Sequence, residues 1–446
     1  MKPSSLYGHL AELITAVDGS SAPADSLVRR YFRERHYIGS KERRWLSARI
    51  FGVIRHRRLL DTIALPALRA GVADRSPLAP LALAAAYALA FAGDTSDEIA
   101  DALTDRWTID AAVPLPREFL TAVEARLHAI VDVPSTPTQL ALQHSFPDEP
   151  VIEWAALLGM GETEQLLAAL NTEAPITIRV NTLRCTVHEC AVRLKKEGLL
   201  PVPGTLSPFA LRLPARGQLE TLGSYREGWF EVQDEGSQIL SMLLRPDPGS
   251  RIIDACAGAG GKTMHLGALM QNKGALVAID PEGMKLKNLQ ERALRAGVKV
   301  AEVIAARHDD PVLDRLHGKG DGVLVDAPCS GLGTVRRNPW LKSIRENPSG
   351  RTRAALQVDI LRRAALLVRP GGRLVYSTCT LRRAENEDVV GEFLRGNDGF
   401  TLASASEILR GWGIDQPDEG PYLTLWPHRT DTDGFFAAVM HRAAAR

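Results

Sequence analysis

The 446-residue chain has few cysteines, no long apolar run and a net charge of only +1. Five cysteines (Cys185, Cys190, Cys256, Cys329, Cys379) do not make a disulfide framework in a chain of this length. No Cys/His grouping has the spacing of a structural zinc site, so no metal is expected. The longest apolar run, Leu81 to Ala92, is shorter than the ~20 residues a membrane span needs. It is alanine-rich and follows Pro80, which suits a buried helix. The N-terminus carries no continuous apolar stretch of the signal-peptide kind, so a cytoplasmic protein with no membrane partner is expected. A near-neutral net charge argues against indiscriminate coating of nucleic acid. The G-x-G-x-x-G spacing of a dinucleotide fold is missing, as are internal repeats and low-complexity tracts.

What is present begins with local charge. Between Arg29 and Arg58 there are eleven Lys/Arg against two acids, Glu34 and Glu42. That stretch suits a solvated helical face or a phosphate-binding surface, and both readings stay open. Apolar residues recur at three and four in Leu6, Leu10, Leu13, Ile14 and Val17, and again from Trp45 to Ile63, which predicts an all-α bundle over residues 1–135. The prolines of Val133-Pro134-Ser135-Thr136-Pro137-Thr138 mark a linker and a domain boundary. Residues 136–240 mix strands (Ile176–Thr182, Leu211–Leu213, Trp229–Val232) with a helix from Thr186 to Gly198, a small α+β subdomain. Over 241–446 the alternation becomes regular. Strands are predicted at Arg251–Asp254, Ala275–Asp280, Val300–Ala305, Gly322–Asp326 and Arg373–Ser377, the pattern of a doubly wound, Rossmann-like α/β sheet. Tyr422–Trp426 and Gly434–Met440 predict an antiparallel pair at its end.

The chemistry gathers at strand ends. After Asp254 comes the turn Cys256-Ala257-Gly258-Ala259-Gly260-Gly261, with Lys262 and Thr263 opening a helix. Glycine lets backbone approach a ligand closely, and a helix start offers unpaired N–H groups. A phosphate loop would need glycine at Ala257 instead of Gly258. Asp280 ends the second strand, where a carboxylate can take a ribose diol or simply cap a helix. Turn and acid together suit a nucleoside cofactor, either S-adenosylmethionine or a dinucleotide. Asp326-Ala327-Pro328-Cys329 closes the fourth strand and Tyr376-Ser377-Thr378-Cys379 the fifth. Adjacent parallel strands would put both cysteines at one rim. A thiolate there can add to C6 of a pyrimidine and make C5 nucleophilic, provided a second group later removes the C5 proton. Asp326 is placed to stabilise the charged adduct near N3.

In this combination Asp254–Thr263, Asp326–Thr334, Tyr376–Thr380 and Glu385-Asn386-Glu387 resemble the motifs of RNA cytosine-C5 methyltransferases of the RsmB/Sun (NOL/NOP/Sun) family. Flanking matches are Arg179-Val180-Asn181-Thr182, Gln233-Asp234-Glu235-Gly236-Ser237, Pro427-His428 and Asp433-Gly434-Phe435-Phe436. Ser40 to Asp61 is similar to the NusB-type RNA-binding helical domain, as in the bacterial ribosomal-RNA branch of that family. The resemblance implies Cys379 as nucleophile, Cys329 as the group that assists product release, and catalytic support from Asp326 and Lys262. It implies S-adenosylmethionine held by Cys256–Lys262, Asp280 and Asp326. It also implies RNA, most simply 16S ribosomal RNA, as partner, met by Arg179, Asn181, Arg336, Arg337, Arg55, Arg57 and Arg58. The family's adenine-side aspartate is replaced by Ala305, so Asp309 is the expected substitute from the loop. Trp340 stands where the family usually has aspartate, and Gly258-Ala259 replaces the usual Ala-Pro. A transfer-RNA substrate, a decayed RNA-binding assembly factor and a dinucleotide oxidoreductase are the competing readings. Oligomeric state is not legible.

Overall fold

The computed structural model describes residues 1–20, 22–68, 78–107, 114–131, 136–214, 219–343, 352–415 and 420–444. The chain forms two compact units, and the dividing point is Asn171/Thr172. The sequence placed a boundary at 135/136; of its proline linker, 133–135 lie outside the described residues. The helices that follow, Pro137–Gln143, Asp148–Leu158 and Met160–Leu170, belong to the first unit because the Pro137–Gln143 helix packs on Arg57–Ala64 and Pro116–Val131.

The first unit is helical among its described residues. Its core gathers the predicted stripes, with Leu10, Leu13, Leu46, Ile50, Leu60 and Ile63 all buried. The alanine-rich run forms the helix Ala79–Tyr87 and continues as a π-helix, Ala88–Ala92. No described helix is long and apolar enough to cross a membrane. The segment Pro339–Ser343 also belongs to this unit. Trp340 packs against the helical core, and buried Lys342 donates to Arg55 O (3.0 Å), His144 O (3.2 Å) and Asn171 Oδ1 (2.5 Å). The tryptophan at the unusual position therefore has a packing role.

The second unit holds two sheets. The smaller is antiparallel: β1 (Ile176–Val180), β2 (Val202–Pro203), β3 (Ala210–Leu213) and β4 (Phe230–Val232), in the order β2-β3-β1-β4. The helix Val187–Lys196 starts on a Thr186/Glu189 capping box, which satisfies two orphan donors.

The larger sheet contains β5 (Arg251–Asp254), β6 (Ala275–Asp280), β7 (Glu302–Ala305), β8 (Gly320–Asp326), β9 (Val368–Thr378), β10 (Phe400–Ala403), β11 (Tyr422–Leu425) and β12 (Phe435–Arg442). Its order is β10-β12-β9-β8-β5-β6-β7, parallel from β9 to β7. β12 runs antiparallel to β9, and its far edge is shared by β11 and β10. The predicted antiparallel ending is thus present, with β10 as an addition. Alternate residues feed separate cores: Ile252, Ala278, Leu324 and Val375 on one face, Ile253, Val277, Val323 and Leu374 on the other. Parallel strands buried on both faces read as continuous apolar runs for this reason. The chain leaves β5 toward β6 and β7, then returns to β8 and β9 on the other side. That reversal opens the crevice where wound sheets bind ligands.

Candidate active site

The glycine turn lies at that reversal. Gly258 and Gly260 have φ of +51° and +86°, which favour glycine. A Cβ at Gly260 would lie 2.4 Å from Met264 Cε and 2.6 Å from Leu289 Cγ, whereas the space over Gly258 is open. Gly260 leads into the helix Gly261–Leu269. Two arginines grip the turn from behind. Arg179 Nη1 donates to Gly261 O (2.7 Å) and to Gln233 Oε1, and Arg292 Nη1 donates to Ala259 O (2.6 Å). Arg292 is itself braced by buried Glu231 (2.8 Å). Arg292 carries no sequence signal, since nothing local in a helix forecasts a partner 33 residues back. The resemblance directs Arg179 at RNA; the structure has it 1% exposed and bonded to the glycine turn, and burial draws its guanidinium down to about 10.

Asp280 ends β6 and faces the turn. Its Oδ2 accepts from Gly258 N (2.9 Å) and its Oδ1 from Glu282 N (2.9 Å). Each carboxylate oxygen keeps a second lone pair for a ligand hydroxyl. In the sheet register Ala305 stands beside Asp280, exposed. Asp309, the expected substitute acid, lies in an exposed turn beyond it and pairs with Arg307 (3.4 Å). Open space over Gly258, a helix start and a strand-end carboxylate together suit a nucleoside cofactor.

β8 and β9 bring the reactive groups together. Asp326 pairs in register with Ser377, and Cys329 and Cys379 follow within three residues. Their sulfurs are 3.3 Å apart. Asp326 Oδ2 accepts from Lys262 Nζ (2.6 Å) and Oδ1 from Ser377 Oγ (3.2 Å). Burial pulls the Lys262 ammonium down, but Asp326 outweighs it and holds the lysine above its ordinary range. Its hydrogen bond to Cys379 and its burial push the Cys329 thiol well up. Burial, with Asp254, Asp326 and Asp280 nearby, does the same to Cys256, which stays a protonated thiol. Gly333 N donates to Cys379 O (3.0 Å), and a Cβ on Gly333 would meet Gly434 O at 2.1 Å, so the Asp433-Gly434 match serves this close approach.

The other residues assigned to RNA are engaged within the protein. Asn181 is buried and donates to Gly228 O and Ala296 O, both at 2.8 Å. Arg336, also buried, donates to Asp431 (3.0 Å) and Glu173 O (3.1 Å). Arg337 bonds Asp433 (2.6 Å), Asp234 (3.0 Å) and Pro175 O (3.0 Å). Arg57 pairs with Asp18 and Asp61, and Arg58 with Asp148. Arg55 is half-buried, and its carbonyl receives Lys342. Within the same basic stretch, Arg29, Arg30, Arg33, Lys41 and Arg44 are the exposed cations.

Comparison with known proteins agrees with this arrangement. Residues 241–441 match the family described as 16S rRNA methyltransferase RsmB/F, and residues 151–220 match the RsmF/B-like ferredoxin-like domain. The chain is 30% identical over 420 residues to the "probable ribosomal RNA small subunit methyltransferase B" of Synechocystis sp., covering 92% of this chain and 93% of that one. It is 33% identical over 306 residues to the protein of the same name from Bacillus subtilis, 68% of each chain. Among solved structures, PH0851 superposes with a TM-score of 0.77 at 27% identity over 99% of both chains. A methyltransferase homologue from Pyrococcus horikoshii gives 0.58 at 25% identity, over 70% of this chain and 100% of that one. The chain belongs to the RsmB/F family of 16S rRNA methyltransferases, which are S-adenosylmethionine-dependent.

Proposed function

We propose that this protein methylates C5 of a cytosine in small-subunit ribosomal RNA through a covalent adduct on Cys379. The observation that carries the reading is the pair of sulfurs 3.3 Å apart beside the Lys262–Asp326 pair, at the rim that also holds the glycine turn. S-adenosylmethionine, held by the Cys256–Lys262 turn, Asp280 and Asp326, supplies when bound an electrophilic methyl group that a nucleophilic C5 can take. The protein's own residues make C5 nucleophilic. Cys379, as thiolate, bonds to C6, and the C5=C6 electron pair shifts into the ring toward N3. The proton held between Lys262 Nζ and Asp326 Oδ2 (2.6 Å) passes to N3, neutralises the negative charge that develops there, and returns when the adduct collapses. After C5 is methylated, Cys329 gives its own proton to water and, as thiolate, takes the C5 proton. The electron pair re-forms C5=C6, the C6–S bond breaks, and Cys379 leaves as thiolate.

Two features support this division of roles. Burial and the contact with Cys379 hold the Cys329 thiol well above its usual range, so its S–H can serve Cys379 before attack. The largest cause of that rise is the bond to Cys379, which vanishes once Cys379 has become a thioether. Cys329 then loses its proton more readily, when release requires a base. The target base must leave its stack to reach this rim. Arg29, Arg30, Arg33, Lys41 and Arg44 supply salt-sensitive phosphate affinity, and the shape of the RNA supplies position.

The test is incubation with methyl-labelled S-adenosylmethionine and 16S RNA, naked and in small-subunit particles, followed by nucleoside analysis. Label in 5-methylcytidine is expected. Label confined to another nucleoside, or none with either substrate, overturns the reading.

A further inference from the structure

Glu385 and Asn386 belong to a matched motif that the proposed chemistry does not use, yet both are buried next to it. Glu385 Oε2 accepts from Ser330 N (2.8 Å), the amide just after Cys329. The same oxygen accepts from Gln357 Nε2 (3.0 Å), which also donates to Pro328 O (2.9 Å), just before Cys329. Cys329 is therefore held on both sides by one carboxylate and one amide. Asn386 does the same for the other cysteine. Its Oδ1 accepts from Thr378 Oγ1 (2.6 Å), before Cys379, and its Nδ2 donates to Thr380 O (3.0 Å), after it. The Glu385 backbone carbonyl accepts from Tyr376 OH on β9 (2.6 Å), anchoring the dipeptide to the strand that carries Cys379. One further bond, Ser330 Oγ to Thr380 Oγ1 (2.8 Å), links the two loops directly.

We propose that Glu385 and Asn386 are positioning residues that set the two cysteines separately, Glu385 fixing Cys329 for product release and Asn386 fixing Cys379 for attack. A strand-end loop held at only one flank could rotate its sulfur away. Held at both flanks by adjacent residues of one segment, the two sulfurs keep a fixed separation through attack and release. Gln357 belongs to the Glu385 half, although it lies on the distant helix Arg353–Leu367. The inference rests on the proposed roles of Cys379 and Cys329.

The two halves give opposite signatures in a covalent-trapping assay with S-adenosylmethionine and 16S RNA, resolved on denaturing gels. Cys329→Ala is the reference and should accumulate RNA-bound protein. Glu385→Gln and Gln357→Leu should accumulate adduct as well, with turnover at least tenfold lower and the single-turnover rate of adduct formation within about threefold of wild type. Gln357→Leu replaces a buried amide by a side chain of similar size, so it reports even if the Glu385 variant is unstable. Asn386→Ala should form adduct at least tenfold more slowly and accumulate none. Cofactor affinity by calorimetry should stay within about threefold of wild type in all three, which a general loss of folding would not allow. If Cys329→Ala traps RNA but neither Glu385→Gln nor Gln357→Leu does, or if Asn386→Ala accumulates adduct, the positioning roles are overturned. If Cys329→Ala traps nothing, the roles given to the two cysteines fail instead.

Discussion

Asp326 shows how a single carboxylate is prepared for its task. One oxygen is bound by the Lys262 ammonium and the other by the Ser377 hydroxyl, so the group is oriented before any substrate arrives. A charge pair of this kind, half shielded from water, acts at lower effective dielectric than one at the surface. Asp326→Asn keeps the shape and the hydrogen-bonding partner at Ser377 but cannot pass the Lys262 proton to N3. Loss of one oriented group that stabilises developing charge typically costs ~10²–10³ in rate. The expected outcome is a fall of that order in single-turnover methyl transfer with RNA affinity unchanged, checked by rapid quench against filter retention. Equal losses in both would instead give Asp326 a role in holding RNA. The same scale shows what composition conceals. A polar side chain in a matched motif points Arg179 and Asn181 at RNA. Their partners, Gly261 O, Gln233, Gly228 O and Ala296 O, lie 47 to 115 residues away, and no local pattern carries that information.

At the scale of elements, the parallel strands were legible because burial on both faces writes a continuous apolar run. β5 and β6 fall on their predicted limits, and β8 and β9 were found with their ends somewhat longer. The cysteine pair was legible for the same reason, since neighbouring strand ends must share a rim. The attachment of the helices from Pro137 to Leu170 to the first unit was not, because prolines there open helices as readily as they break domains. One element junction has a clear pH signature. His56, between the helices Ser40–Arg55 and Arg57–Ala64, stacks on Phe91 with ring centroids 3.8 Å apart. Burial, reinforced by the charge of Lys342, pushes its imidazole down to about 3. Below about pH 6.5 the unfolded chain takes a proton there that the folded chain refuses, so stability falls as pH falls toward 3, by about 1.4 kcal/mol per unit. Above that window the group contributes no pH dependence. His56→Phe should flatten the acid limb, read as the difference in amide-exchange protection of the Ser40–Arg55 helix between pH 7 and pH 5. An unchanged difference would mean that His56 is protonated in the folded protein.

The motifs lie at the strand ends that the fold brings to one rim. The structure adds the supports behind them: two guanidiniums gripping the carbonyls of the glycine turn, and a buried dipeptide gripping the flanks of both cysteines. Of the arginines the resemblance directs at RNA, Arg57, Arg58, Arg336 and Arg337 are engaged in ion pairs within the protein, whereas Arg29, Arg30, Arg33, Lys41 and Arg44 are exposed. The central claim is that Cys379 forms the bond to the base and Cys329 releases it. The most direct measurement is peptide mass spectrometry on the gel-resistant complex of Cys329→Ala with 16S RNA and S-adenosylmethionine, beside the Cys379→Ala and double variants. A methylated cytosine nucleotide attached to the peptide bearing Cys379, and no complex from either variant lacking Cys379, is the expected result. A complex that persists in Cys379→Ala, or a nucleotide mapped to Cys256 in Cys329→Ala, would contradict it.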